Sequence, residues 1–423
     1  MTDGGEGASA GAKEVDSMSH NSSEGRLPLY IHSGACNYRH DLVERCFSKR
    51  ASQMLRAPPD MRPSDPDVKL QWAEYELICW ERVLKGELVC NAYPLRKNLI
   101  RKANLARCLN KYISKTPKSP LARAVPESVI ISMDDDPSLL HWSLADARDA
   151  MERPFAAEGG MFAANRWILK PSMLDRAEEL TILSSYDELT DIVQANPEIQ
   201  EWVLQRYLDH PLLIQHGRKF HLRAYVVAVG SLHVWVLDEL LAHVAARPYP
   251  MHDLTQLGLL GHITNLAYGE RDPLGYDVTR HMRPFFDDCM RHKEIRPEAA
   301  QAVFDRIKAL VAETFRAVRG EFLGFTALPN CFELFAFDFL VDTQHQPYLL
   351  EVNAWPDVTV TGPHVRGMVA DLTEGIFRVA VDRLLGGGGI SLGEGCVVGK
   401  LHCVLSDSGP QWGAPNMAFV DTD

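Results

Sequence analysis

The chain has 423 residues, of which 46% are apolar and 24% charged, and its 44 basic and 56 acidic side chains give a net charge of −12 at pH 7. This composition is typical of a globular protein of about two to three domains and excludes a chain that is disordered throughout. No run approaches the roughly 20 uninterrupted apolar residues of a membrane helix, and the first 25 residues are rich in Gly and Ser. We therefore expect neither a membrane span nor secretion.

The nine cysteines are scattered along the chain, with no CxxC pair and no Cys/His cluster at zinc-finger spacing. This distribution is typical of a protein in a reducing compartment, so we expect a cytoplasmic location and no cysteine chemistry.

In chain order, residues 1–26 lack an apolar period, and we expect a disordered tail there. Residues 27–120 are predicted to form a smaller N-terminal α/β segment that docks the substrate. Residues 121–385 are predicted to form the main domain, and residues 386–423 a C-terminal tail with a weak pattern.

The N-terminal segment contains a strongly basic stretch, because no carboxylate occurs between Glu87 and Glu127. The nine basic side chains of this stretch are Arg96, Lys97, Arg101, Lys102, Arg107, Lys111, Lys115, Lys118 and Arg123. Its apolar residues recur every three or four positions, at Leu95, Leu99, Ala103, Ala106, Leu109 and Ile113. This spacing predicts an amphipathic helix whose basic side faces solvent.

We interpret this basic side as a dock for an acidic protein tail. A nucleic acid is the weaker candidate, because no aromatic platform and no known nucleic-acid module accompany the basic residues. A solvated helix face without a partner is the alternative.

The main domain has apolar runs that predict six strands, at residues 167–170, 202–207, 220–229, 232–237, 331–341 and 348–353. Helical spacing predicts one helix through residues 303–318, with Pro297 near its start and Gly320 at its end, and a second through residues 365–379. The order of these elements predicts an α+β fold with a mostly antiparallel sheet.

The last two predicted strands read as a hairpin. If Asp338 lies opposite Glu351, the turn falls between Gln344 and His345, in the polar stretch between the strands. Because side chains alternate along a strand, Glu351 and Asn353 then share one face with Asp338. Two carboxylates and an amide oxygen in an apolar environment require a cation, and hard oxygen donors favour Mg²⁺. The alternative, a hairpin face in solvent, is disfavoured because Asp338 lies inside an apolar run.

At this point the sequence resembles the tubulin-tyrosine ligase-like family, which has the ATP-grasp fold, and most closely its fungal members. The resemblance covers roughly residues 70–385. The segments that carry it are QWAEYE (71–76), YPLRKNLIRKANLA (93–106), WILKPS (167–172), VLQRYL (203–208), KFHLRAY (219–225), HITN (262–265), and FDFLVD with LLEVN in the hairpin.

The resemblance implies a role for each candidate residue. Lys170 would contact the phosphates of ATP, and the segment at adenine would be Gln205, Arg206, Tyr207 and Leu208. Lys219 and Arg223, on one face of a strand, would neutralise a carboxylate or acyl phosphate. Thr264 and Asn265 would contact phosphate or the acceptor amino acid. The hairpin residues Asp338, Glu351 and Asn353 would bind Mg²⁺ together with ATP.

The resemblance therefore implies an ATP- and Mg²⁺-dependent ligase. Such an enzyme joins a free amino acid to a protein carboxylate through an acyl phosphate, with an acidic tail such as that of tubulin as the protein substrate. Two alternatives stay open: a pseudo-ligase that binds proteins without efficient ATP binding, and an ATP-grasp ligase of a small-molecule acid.

Four positions depart from the family's pattern. The segment from Pro171 to Leu183 has no glycine, with Ala177 and Glu179 where relatives usually have Gly. Side chains there obstruct close approach of the backbone to phosphate. In addition, His221 replaces an Asp, and His243 stands where relatives have an arginine, with Arg247 as a substitute candidate. The identity of the acceptor amino acid therefore does not follow from the resemblance.

Overall fold

The structure is a computed structural model. It describes residues 27–31, 37–52, 54–58, 60–133, 137–153, 165–173, 180–265, 269, 272–273, 282–286, 295–321, 324–356, 358, 365–385 and 393–406. The predicted tail at residues 1–26 lies outside this part of the chain. No helix within it is both long enough and apolar enough for a membrane crossing.

The N-terminal segment forms a four-stranded parallel sheet with the strand order β2-β1-β3-β4. Its strands are β1 (Leu27–Ile31), β2 (Met54–Arg56), β3 (Leu70–Trp72) and β4 (Val89–Cys90), and its helices are α1 (Asn37–Ser48) and α2 (Trp80–Leu84). Parallel strands require crossover connections, which here include these helices, so the segment is α/β as predicted.

The basic stretch forms two helices instead of the single predicted one. These are α3 (Lys97–Ile100) and α4 (Lys102–Lys115), separated by Arg101, whose backbone is extended with φ −95° and ψ 125°. Leu99, Ala103, Ala106 and Leu109, which were predicted to point inward, are buried, and Ile113 is partly buried. The break moves the beginning of α4 to Lys102, which decides where that side chain points.

A second, antiparallel sheet has the order β5-β8-β6-β7. Its strands are β5 (Ser128–Ser132), β6 (Trp167–Pro171), β7 (Thr181–Leu183) and β8 (Glu201–Arg206), and its helices are α5 (Pro137–Glu152) and α6 (Tyr186–Ala195). Trp167, Leu169 and Leu204 pack against both helices on one face of this sheet. The opposite face carries Lys170 and Gln205.

The third sheet has nine strands, and all its pairs are antiparallel. Its strands are β9 (Leu213–Ile214), β10 (Arg218–Val229), β11 (His233–Leu237), β12 (Leu241–Val244), β13 (Met282–Pro284), β14 (Phe332–Val341), β15 (Pro347–Ala354), β16 (Val397–Val398) and β17 (Leu401–Ser406). The short helix α7 (Gln256–His262) follows β12. The last two strands lie where the sequence predicted a tail.

Two helices cover opposite faces of the nine-stranded sheet. Helix α8 (Pro297–Arg319) packs on the face that carries Leu222 and Val226, and helix α9 (Arg366–Ile376) packs on the face that carries Tyr225 and Val227. Helix α9 continues through a π-helical turn (Phe377–Val381) into α10 (Asp382–Leu384). The predicted α+β fold with mostly antiparallel sheets is confirmed, and all six predicted strands lie within two residues of the observed bounds.

Candidate active site

The hairpin of β14 and β15 has the predicted register, with Asp338 directly opposite Glu351. A register shift follows Asp338, and beyond it Val341 pairs with Pro347, so the turn is centred on Gln344 and the predicted centre between Gln344 and His345 was wrong by half a residue. In the turn, the carboxylate of Asp342 accepts hydrogen bonds of 2.8 Å from the backbone amides of Gln344 and Gln346, and His345 has φ 61°. Because side chains alternate along each strand, Asp338, Glu351 and Asn353 project to the same face of the hairpin.

The three oxygen-bearing side chains of this face meet at Asn353. Its amide nitrogen donates to Asp338 Oδ2 over 3.1 Å and to Glu351 Oε1 over 3.3 Å. Asp338 is only 3% exposed, so it is not part of a solvated hairpin face. The structure thus brings together the three residues that the sequence nominated as a metal site.

Two basic side chains compensate the carboxylates. Arg223 on β10 donates from Nε and Nη2 to the two oxygens of Asp338, each over 2.8 Å. Lys102, at the beginning of α4, places Nζ 3.7 Å from Glu351 Oε2 and is 15% exposed. Burial opposes ionisation of Glu351, but the charges of Lys102 and Lys170 outweigh it and lower the pKa of this carboxyl. The prediction that Lys102 belongs to an outward docking face was wrong, because α4 points this residue into the site.

Lys170 lies on β6, at the edge where the second sheet faces the hairpin. Its ammonium donates to Gln205 Oε1 over 2.7 Å, and Gln205 Nε2 donates to Ser128 Oγ over 3.1 Å. Burial lowers the pKa of Lys170 to about 8. The backbone amide of Ala103 donates to Ser172 Oγ over 3.2 Å, so the first turn of α4 adjoins the end of β6.

Lys219 on β10 is also buried, and its ammonium donates to the hydroxyl of Tyr207 over 2.9 Å. The nitrogen lies 4.5 Å from the centre of the Tyr207 ring. Burial, with a smaller contribution from the charge of Lys170, lowers the pKa of Lys219 to about 7. Both lysines therefore donate to uncharged groups in a desolvated place, which favours the binding of an anion there.

Arg206 does not face the site, unlike Gln205 beside it in the strand. Its guanidinium binds Glu127 over 3.0 Å and lies 4.2 Å from the centre of the Trp167 ring. The backbone amides of Arg206 and Tyr207 donate to the carbonyl oxygens of Glu127 and Arg166. These two backbone amides are therefore paired within the protein and are not available to adenine.

Leu208 lies in a small apolar cluster on the hairpin. It packs with Leu340, and Tyr348 and Leu350 border the pair. Leu340 shares the strand face of Asp338, two residues away. This cluster can supply an apolar wall for a planar ring beside the carboxylates.

Two stacked imidazoles occupy the positions that depart from the family's pattern. His221 and His243 are paired across β10 and β12, with ring centroids 4.5 Å apart and an interplanar angle of 15°. Burial lowers the pKa of His221 to about 4 and that of His243 well below its usual range, so both rings are neutral at pH 7. Thr264 Oγ1 lies 2.6 Å from His221 Nδ1. Thr264 and the adjacent Asn265 thus follow α7 into the site.

Arg247, the candidate substitute for the absent arginine, binds Asp272 over 2.8 Å. It therefore already has a carboxylate partner, and the structure does not bring it to the stacked histidines. Ala177 and Glu179 lie outside the described residues.

The tubulin-tyrosine ligase family matches residues 84–384 of this chain. The chain belongs to the tubulin-tyrosine ligase family. A Schizosaccharomyces pombe protein described as a probable tubulin–tyrosine ligase is 31% identical over 355 residues, which are 75% of this chain and 84% of that protein. The Saccharomyces cerevisiae protein Pby1, with the same description, is 28% identical over 73% of this chain but only 45% of its own length.

More distant members of the tubulin-tyrosine ligase family include the tubulin glycylase 3D of Tetrahymena thermophila, which is 26% identical over 60% of this chain and 24% of its own length. Among solved structures, the C-terminal domain of K. lactis Pby1 covers 90% of this chain and 99% of that domain, with a TM-score of 0.66 and 26% identity. That domain is described as an ATP-grasp enzyme that interacts with the mRNA decapping enzyme Dcp2. The fold of this family member is therefore ATP-grasp, as predicted.

Lys102 is the site residue that sequence reasoning assigned to the wrong place. The signal that could have found it is the segment YPLRKNLIRKANLA, which contains Lys102 and carries part of the family resemblance. The spacing alone predicts one uniform basic surface for that segment. In the structure its basic residues lie in different places: Lys102 lies beside Glu351, and Arg96 is 3.1 Å from the buried Glu333.

Proposed function

We propose that this protein is an ATP- and Mg²⁺-dependent ligase that joins the amine of an amino acid to a carboxylate of a protein through an acyl phosphate. The observation that carries the proposal is a pair of buried lysines close to the carboxylates of the hairpin. Lys170 lies on the second sheet and Lys219 on β10, the strand that pairs with β14, and both donate to neutral groups. Asp338 and Glu351 lie on the hairpin itself. An ATP-grasp site requires this separation, with cations for phosphate oxygens and carboxylates for a metal ion.

The reaction needs two displacements. A carboxylate oxygen of the protein substrate attacks the γ-phosphorus of ATP, the bond to the bridging oxygen breaks, and ADP leaves. The nitrogen of the amine then attacks the acyl carbon, phosphate leaves with the bonding electrons, and the amine loses a proton. Both steps depend on positioning and on neutralising charge at phosphoryl oxygens, and they need no protein nucleophile.

The residues fit these needs. Lys170 and Lys219 would hold phosphate oxygens, and Lys102 would add a third cation beside Glu351. Arg223 holds Asp338 in place through two hydrogen bonds. Leu208 and its apolar neighbours would border adenine. Thr264 and Asn265 would lie toward the acceptor.

The donor set also fits Mg²⁺, which supplies neutralisation of phosphate charge when it is bound. Asp338 and Glu351 provide carboxylate oxygens, and Asn353 provides an amide within hydrogen-bond distance of both. Among the described residues, no group of three His, Cys, Asp or Glu side chains could hold a metal ion. The third ligand in this proposal is the amide oxygen of Asn353, and the side-chain amide would have to turn for this, because its nitrogen donates to both carboxylates in the structure.

The protein substrate would have an acidic tail, and tubulin is the first candidate because relatives are named as tubulin glycylases. The K. lactis Pby1 domain interacts with the decapping enzyme Dcp2, which makes a decapping enzyme a second kind of candidate partner. A binding module without efficient ATP binding is the competing function, and the glycine-free segment from Pro171 to Leu183 favours it. A small-molecule acid as the substrate is disfavoured, because it would not need the basic surface of α4 for binding.

Nucleotide binding tests the proposal first. ATP with Mg²⁺ should raise the melting temperature of the purified chain, and ATP with EDTA should raise it less. With a Glu-rich peptide, a mixture of amino acids and hydroxylamine, the enzyme should form a peptide hydroxamate, which traps the acyl phosphate. An absence of both effects would leave the binding module as the function.

A further inference from the structure

The HITN segment contains a buried side chain that the proposed reaction does not use. His262 is the last residue of α7 and is 2% exposed. It contacts the side of the Tyr207 hydroxyl that does not contact Lys219. Its Nδ1 is 2.7 Å from the hydroxyl of Tyr207. Its Nε2 is 3.2 Å from the carbonyl oxygen of Pro250 and 3.1 Å from that of Asp253.

The contacts of His262 determine its tautomer. Carbonyl oxygens only accept hydrogen bonds, so Nε2 must carry the hydrogen. Burial and the charge of Lys219 lower the pKa of His262 to about 4, so the ring is neutral at pH 7. Nδ1 therefore has a free electron pair, and the Tyr207 hydroxyl must donate to it.

The direction of the hydrogen bond between Tyr207 and His262 decides whether the Tyr207 hydroxyl can accept a hydrogen bond from Lys219. Because the Tyr207 hydrogen points to His262, the lone pairs of the hydroxyl oxygen point to the ammonium, which donates over 2.9 Å. With the opposite tautomer, Nδ1–H would donate to the hydroxyl oxygen and occupy one of its lone pairs, and the hydroxyl hydrogen would have to turn away from His262. The other charged groups that act on Lys219 are Asp209 and Lys170.

The turn before α7 is tightly packed against the helix. A Cβ atom at Gly261 would collide with the carbonyl oxygen of Pro248. Tyr249 donates its hydroxyl to the carbonyl oxygen of Asp209 over 2.8 Å, and its ring meets that of His262 edge to face at 4.8 Å. The carbonyl oxygens that orient His262 are therefore held in place themselves.

We propose that His262 is a positioning residue, which orients the Tyr207 hydroxyl so that Lys219 is held with its remaining hydrogens available to an anion. This inference rests on the proposed function only in naming the anion as a nucleotide phosphate. His262 itself touches neither the nucleotide nor the acceptor. Its effect passes through Tyr207 to Lys219.

The test compares two replacements of His262. His262→Leu removes both nitrogens and should raise the dissociation constant of ATP with Mg²⁺ about tenfold, measured by calorimetry on folded protein. His262→Asn can place an amide oxygen at the position of Nδ1 and should stay within about threefold of wild type. Leu257→Ala, at a 48% exposed position on the same helix, is the control and should not change binding.

A double-mutant cycle separates positioning from a merely structural role. Tyr207→Phe should weaken binding as much as His262→Leu, and the double variant should be no worse than either single one, because both remove the same link. A structural role would lower the melting temperature of His262→Leu and leave nucleotide affinity unchanged. That result, or additive losses in the double variant, would overturn the proposal.

A second measurement does not need ATP. In protein labelled with ¹³C at lysine Cε, the resonance missing from Lys219→Arg identifies Lys219, and its pKa can be followed by NMR. Loss of the oriented acceptor in His262→Leu should lower this pKa below that of wild type, and His262→Asn should restore it. An unchanged pKa overturns the positioning role, whereas failure of wild type to bind ATP overturns only the proposed function.

Discussion

Lys102 Nζ lies 3.7 Å from the carboxylate of Glu351, although the two residues belong to distant parts of the chain. The contact exists because Arg101 is extended and α4 begins at Lys102, with its first turn against β6 and β15. The basic residues of this helix therefore lie in two different environments. Lys102, at its beginning, faces the candidate active site, and the basic residues of its later turns face outward.

This contact predicts a catalytic defect for Lys102→Met. Loss of one cation beside phosphate and carboxylate should lower the ligation rate roughly 100-fold with little change in melting temperature. Lys85→Met is the matched control, because Lys85 is exposed at the end of α2, outside the basic stretch. Equal activity of both variants in a steady-state assay would remove Lys102 from the site.

Glu351→Gln tests the metal-binding hairpin. The substitution preserves shape but removes one negative charge, so nucleotide-dependent activity should fall on the order of 100-fold or more. The apparent Mg²⁺ concentration for half-maximal activity should rise, while circular dichroism and the melting temperature stay close to wild type. Full activity of the purified variant at low Mg²⁺ would contradict the assignment of Glu351 as a ligand.

The two buried lysines predict proton uptake on nucleotide binding. Burial lowers the pKa of Lys170 to about 8 and that of Lys219 to about 7. Near pH 7.5 the free protein therefore lacks about one proton at this pair, which a bound phosphate would restore. Calorimetry in buffers of different ionisation enthalpy should detect this uptake, and Lys219→Met should reduce it. Binding of ATP without proton uptake would show that the pKa values of Lys170 and Lys219 are not lowered in the free protein.

The same lysines affect stability in a defined direction. Their folded pKa values lie below the unfolded value, so between about pH 7 and 10 the unfolded chain binds more protons and the pair's contribution to stability improves as pH rises. Burial raises the pKa of Glu333 to about 8, which acts in the opposite direction. The informative quantity is therefore the difference between wild type and Lys219→Met. Lys219→Met should be more stable than wild type near pH 7, and this difference in the free energy of unfolding should become smaller toward pH 9.

Restoring glycine tests the segment that departs from the family's pattern. Ala177→Gly together with Glu179→Gly removes two side chains and one negative charge where the resemblance expects the backbone to approach phosphate. The double variant should bind ATP more tightly in calorimetry. Equal affinity before and after would show that this segment does not contact phosphate.

The proposed docking of an acidic tail would involve those residues of the basic stretch that are exposed and not paired with a carboxylate. Lys102 faces the site, Arg107 pairs with Glu201, and Lys111 lies 2.7 Å from Glu321. Lys115, Lys118 and Arg123 are exposed, and no ion pair joins them to other residues within the described ranges. These three are therefore the residues to reverse.

Changing Lys115, Lys118 and Arg123 together to Glu should weaken binding of a Glu-rich peptide and leave the melting temperature almost unchanged, because exposed charges contribute little to folding. Wild-type affinity should also fall as salt rises from about 0.05 to 0.3 M, where charges are screened within roughly 6 Å. Salt-insensitive binding, or a triple variant that binds normally, would leave these cations as a solvated helix face.

Much of the hairpin could be predicted from the sequence because its pairing is local. The pairing of Asp338 with Glu351 followed from the alternation of polar side chains. The register next to the turn would place Leu350 opposite Asp338, and the register shift after Asp338, which the sequence did not predict, brings Glu351 there. Alternation also separates Gln205 from Arg206, since neighbours on a strand face opposite sides. Apolar spacing likewise determined the long helix α8 and the inward side of α4, and several motifs in order identified the family.

Tertiary structure decided which charges serve the site. The break at Arg101 and the packing of α4 against β15 turn Lys102 toward Glu351, and neither is encoded in the spacing of basic residues. The lowered pKa values of Lys170 and Lys219 arise from burial between sheets, and the tautomer of His262 arises from two carbonyl oxygens in a turn. Desolvation and hydrogen-bond direction depend on what surrounds a side chain in three dimensions, which the order of residues along one strand or helix does not specify.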